Sequence, residues 1–229
     1  MTEIQLPKRF SIRDLLKRAW AITSNNLGKI ILYGIVLLLA FLILNAPIFI
    51  IFPADPEAEP VRNLVGNFLS EILALAFGLG ITNLALRFSN HENVALSDFF
   101  SKFNRFGTYI LATALYWLAV AVGLILLIVP GIIIAVRFSL YPYFIIDQNL
   151  GVIASLEKSW ESVKGATWKV FCFSLVSTLI ILLGLLLLGV GIFITFPVAI
   201  IAQALLYRTL WNQTNVTVLA DETRNELPR

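Results

Sequence analysis

Charge is scarce in this 229-residue chain: Asp, Glu, Lys and Arg make up 14% of it, against about 25% in soluble domains. With 59% hydrophobic residues and a mean hydropathy of +0.86, the shortage excludes water as the solvent for most of the chain. Cysteine is nearly absent too. Cys172 stands alone in an apolar run, so no intrachain disulfide can form. With a single His as well, the chain has too few soft ligands for a zinc site, which needs three or four close together. No glycine-rich phosphate loop, His-based zinc motif or G-x-S-x-G elbow is present. The sequence reads as non-catalytic, with no metal, cofactor or nucleic-acid partner expected.

What the chain has is long apolar runs. About 20 apolar residues cross a bilayer as a helix, and six stretches qualify: 28–52, 64–88, 107–129, 132–147, 166–188 and 192–211. The expected fold is an all-α polytopic membrane bundle in a single domain. A turn is expected at Pro130-Gly131, another at Gly189-Val190-Gly191, and a flexible polar tail over 212–229.

Between the spans lie three amphipathic segments, expected as surface helices over 10–25, 96–105 and 149–164. The first carries Lys17, Arg18 and Trp20; the third carries Trp160, Lys158 and Lys164, with Gly165 placed to stop it. Basic, tryptophan-bearing helices of this kind lie in a membrane interface. Each leads into a hairpin of spans, which suggests a three-fold pseudo-repeat entering the bilayer from one side. Short cytoplasmic loops collect Lys and Arg. With both termini inside, only Arg62 lies outside and Arg137 lies within the membrane, which sets the expected orientation.

An arginine at mid-depth costs about 2.5–3.5 kcal/mol on insertion scales, so it needs a partner. Counted from the Pro130-Gly131 turn, Arg137 falls roughly 9 Å below the outer face. Glu71 and Asn45 come out at a similar depth, so an intramembrane cluster of Arg137, Glu71 and Asn45 is expected. It reads either as a packing device or as an anion or head-group site. Tyr141, Tyr143 and Asp147, toward the inner end of the fourth span, form a second candidate site, although belt aromatics and a helix-end carboxylate are the favoured explanation of them.

The segment VPGIIIAVRFSLYPYFIIDQNLGVIASLEKSWESVKGATWKVF resembles the signature region of the YciC-like bacterial inner-membrane proteins. That family is related to the membrane domain of some glycerophosphodiester phosphodiesterases. The matching features are Val129-Pro130-Gly131, a short proline-bearing span, Asp147 at its exit, and Ala154 to Trp160 followed by Thr167-Trp168. The resemblance implies a multi-pass protein of the bacterial cytoplasmic membrane; the phosphodiesterase catalytic domain is not in this chain.

Together these readings give a non-catalytic membrane protein that engages lipids or scaffolds partners at the cytoplasmic leaflet. Its surface helices would frame a cavity open to the cytoplasm. Its expected partners are membrane lipids and other membrane proteins, and a homo-oligomer is compatible. The alternative is a small transporter or channel with a polar path around Arg137 and Glu71.

Overall fold

The computed structural model describes residues 8, 10–52, 60–186 and 191–226, and among them there is helix and no strand. In chain order the helices are α1 (Ile12–Asn25), α2 (Leu27–Ile51), α3 (Pro60–Ser89), α4 (Phe106–Leu126), α5 (Ile128–Phe138), α6 (Tyr141–Asp147), α7 (Val152–Val163), α8 (Thr167–Leu186) and α9 (Ile192–Glu226). Among the described residues, six stretches are long and apolar enough to cross a membrane, with α5 and α6 sharing one of them. The protein is an all-α, multi-pass membrane protein. An amphipathic segment precedes a hairpin three times, as the sequence suggests. The middle segment is two 3-10 turns, Leu96–Phe100 and Phe103–Arg105, rather than an α-helix.

Three further boundaries differ from expectation. The α4–α5 hairpin turns at Leu127, which is extended, and not at Pro130-Gly131. Pro130 sits in the first turn of α5, where its missing N–H costs nothing. Gly131 is there for close approach: a Cβ would lie 2.7 Å from the backbone nitrogen of Leu124 on α4. The span expected over 132–147 is two helices. Pro142 has no N–H to give the Phe138 carbonyl, so the first helix stops, and the second restarts with the proline in its first turn. Finally, the segment expected as a tail from 212 is helical to Glu226, because no Gly or Pro interrupts the chain there. The Gly189-Val190 part of the expected turn lies outside the described residues.

Burial is concentrated at one end of the bundle, the base, where α1, the 3-10 turns, α6 and α7 gather. On α1, Leu15, Ala19, Ile22 and Thr23 recur at helical spacing and face inward, against α9 among others. The centre of the base is α6. Its residues Phe144 and Ile145 are 0% exposed, so this short helix is covered on every side. It starts against α4, where the Tyr141 hydroxyl lies 2.7 Å from that of Thr113, and ends between α3 and α9. Much of the space between the surface segments is therefore taken by α6 itself. Away from the base, Ile43, Phe49, Phe68, Ile125 and Leu186 point outward. In a bilayer such side chains meet lipid, and the helical backbone satisfies its own polar groups.

The inward face of α7 carries a row of serines beside the apolar Leu156 and Val163. Ser155, Ser159 and Ser162 are all 0% exposed, while Ile153 is exposed. Small side chains let α7 lie close to the break between α5 and α6, and the break needs it. Ser159 Oγ donates to the Arg137 carbonyl at 2.7 Å and accepts the Leu140 N–H at 3.1 Å. The helix ends at Val163, and Gly165 follows with φ +85°, a left-handed conformation suited to glycine at a helix stop.

Candidate functional site

Two recesses lie on opposite faces of α3. The larger is an apolar groove of about 520 Å³ walled by α2, α3 and α9. On α2 the wall is a single stripe, Ile30, Tyr33, Gly34, Leu37 and Phe41, at spacings of three and four. On α3 it is Ala74, Phe77, Gly78, Ile81, Leu84, Ala85 and Phe88. Phe193, Phe196, Pro197 and Ile200 of α9 complete it. The loop after α3 closes its base end. There the Tyr33 hydroxyl donates to the Val94 carbonyl at 3.2 Å, and Lys29 Nζ donates to Asn93 Oδ1 at 2.9 Å.

The smaller recess, about 220 Å³, is polar and sits in the base. Asn83, Leu86 and Arg87 of α3 and Asn90 just beyond its end line it, two residues out of step with the groove stripe. Arg208 of α9 forms an ion pair with Asp147 at 3.6 Å, and its Nε donates to Ser89 Oγ at 3.1 Å. Asp147 Oδ2 also accepts the Tyr207 hydroxyl at 2.8 Å. Arg87 is paired with Glu92 at 2.9 Å and with Asp98. Asn83 Nδ2 donates to the Asp98 carbonyl at 2.7 Å and to Ser101 Oγ at 2.8 Å. Each arginine already faces a carboxylate, so this cluster clamps α3, α6, α9 and the 3-10 turns together.

The expected cluster of Arg137, Glu71 and Asn45 does not form. Arg137 occupies the last turn of α5, which packs chiefly on α4, α7 and α8. Its Nε donates to Thr167 Oγ1 at 3.1 Å, and the guanidinium lies 4.4 Å from the centre of the Trp160 ring. Both partners belong to the base, so Arg137 stands at that end of its span. The depth estimate failed because the hairpin turns earlier than Pro130 and the span breaks just after Arg137. Glu71 is exposed on α3 and makes no ion pair among the described residues. Asn45 Nδ2 donates at 3.1 Å to the Phe41 carbonyl of its own helix.

The second expected site is dispersed by α6. Tyr141 faces Tyr109, Tyr116 and Thr113 on α4. Tyr143 stacks on Tyr207 of α9, and Asp147 joins the charge cluster. On the first surface helix Lys17, Arg18 and Trp20 are exposed as anticipated, with Trp20 off the buried stripe. On α7, Lys158 bonds Glu161 at 2.7 Å, Trp160 is held against Arg137, and Lys164 is exposed at the helix end.

Lys8 was not singled out by its sequence context. Its Nζ donates to the carbonyls of Glu161 and Ser162 at 2.7 and 2.6 Å and to Thr214 Oγ1 at 3.0 Å. It thus caps the last carbonyls of α7 and ties them to α9. Burial pulls its pKa down to about 8, against the raising effect of Glu161, and Lys164 lowers it further. Among the described residues, no three His, Cys, Asp or Glu side chains converge as a metal would require.

Compared with known families, residues 56–221 match the model of a domain of unknown function, DUF7847. No curated protein and no solved structure matches the chain.

Proposed function

From a chain that belongs to the DUF7847 family, whose description assigns no activity, we propose a non-catalytic protein of the bacterial cytoplasmic membrane that engages lipid. Its base and both termini face the cytoplasm, in keeping with the partition of Lys and Arg and with the resemblance to YciC-like proteins. The observation that carries the reading is the groove between α2, α3 and α9: about 520 Å³ of apolar space walled by spanning helices. That volume lies within the range of small-molecule sites. Because the walls are spans, the medium beside the groove is hydrocarbon. The exposed Lys17, Arg18 and Trp20 of α1 hold the base against the anionic inner leaflet. A transporter would need a polar path, and the three residues that suggested one do not meet.

A ligand that binds only the folded state raises its stability with concentration. Added bacterial phospholipid should therefore raise the melting temperature of the detergent-purified protein in a saturable way. Ala74→Trp, which places an indole in the groove from an exposed position, should remove the effect while leaving the lipid-free melting temperature close to wild type. A wild-type melting temperature indifferent to every membrane lipid would sink the proposal.

A further inference from the structure

We infer that the groove takes one acyl chain of an inner-leaflet glycerophospholipid, whose phosphate sits beside Lys29. This rests on the lipid-engaging reading and specifies its ligand.

Length argues first. Along α2 the groove runs from Ile30 to Phe41, which at 1.5 Å per residue is roughly 16 Å. A hydrocarbon core about 30 Å thick gives about 15 Å to each leaflet. The groove is one acyl chain deep.

Width argues next. An extended acyl chain is much thinner than a helix about 10 Å across and can lie within the groove along its whole length. At Gly34 the α2 and α9 walls come close, and a Cβ there would be in ordinary contact with the Phe193 ring at 3.5 Å.

Charge sets the polarity. The groove's lining is apolar apart from the Tyr33 hydroxyl, which is turned to the Val94 carbonyl. One helical turn toward the base from Tyr33, on the same stripe of α2, stands Lys29, exposed and bonded to Asn93. An ammonium has three donors, and among the described residues Lys29 uses one of them. A phospholipid lying in the groove with its head toward the base brings its phosphate to this position.

The test is native mass spectrometry of the full chain released from micelles containing phosphatidylglycerol or a diacylglycerol with the same acyl chains. Wild type should retain one phosphatidylglycerol and prefer it over the diacylglycerol. Lys29→Gln should lower that preference roughly fivefold, the effect of one basic residue near an anionic surface, and Ala74→Trp should retain neither. An unchanged preference in Lys29→Gln overturns the assignment of the phosphate while the groove reading stands. Retention of both lipids by Ala74→Trp overturns the groove as the site. A wild-type dimer that Ala74→Trp dissociates makes a second copy the occupant and overturns the inference as well.

Discussion

Ser159 holds the broken fourth span together at Arg137. Its hydroxyl donates to the Arg137 carbonyl at 2.7 Å, and the same oxygen accepts the Leu140 N–H at 3.1 Å. A helix that stops inside an apolar bundle leaves backbone groups without partners, and water is not there to take them. A single buried serine on a neighbouring helix satisfies one group on each side of the gap.

Removing that hydroxyl should therefore cost more than an ordinary surface bond. Ser159→Ala strands a buried carbonyl and a buried N–H, which puts the expected loss at about 1–3 kcal/mol. Reversible unfolding in mixed micelles measures it. A loss under about 0.5 kcal/mol would mean that the break is satisfied in some other way.

The pairing of Arg137 is open to a direct comparison. A double-mutant cycle between Arg137 and Trp160 should give a coupling of about 0.5–2 kcal/mol, the range for a cation over an indole. The parallel cycle between Arg137 and Glu71 should give a coupling near zero. Strong coupling to Glu71 would restore the intramembrane ion pair that the structure does not contain.

Lys8 makes a prediction about pH. Its pKa in the folded protein is about 8, below the ordinary 10.5, chiefly because burial disfavours the ammonium. The detached segment therefore holds its proton over a window in which the attached one has lost it. Attachment gains stability as pH rises from about 8 to 10.5 and does not change with this group below the window. In a methyl-labelled lysine titration followed by NMR, one resonance should turn over near pH 8 and vanish in Lys8→Arg. Its titration at the ordinary lysine value would contradict the buried cap.

The six spans are legible in the sequence because each is a long apolar run, and length alone identifies those. The basic face of α1 is legible for the same reason, since its charges recur at helical spacing. The partners of Arg137 are not, because depth counted along one helix depends on where its hairpin turns. Moving that turn from Pro130 to Leu127, and breaking the span at Pro142, changes every partner. The serine face of α7 reads as polar in a linear pattern, although it is the buried side. The groove is hidden for a different reason. Its walls come from residues far apart in the chain, and an apolar residue lining a gap looks the same in sequence as one filling a core.

The uneven distribution of burial has a mechanical consequence. The base is held by protein contacts, while toward the open ends of α2, α3 and α8 the apolar side chains lean on the bilayer. Helices adapt to membrane thickness by tilting, at a modest cost per ångström of mismatch. Here the tilt falls on the free ends and pivots about a fixed base. Two walls of the groove, α2 and α3, are among the helices that would swing. Bilayer thickness would then act on the width of the groove.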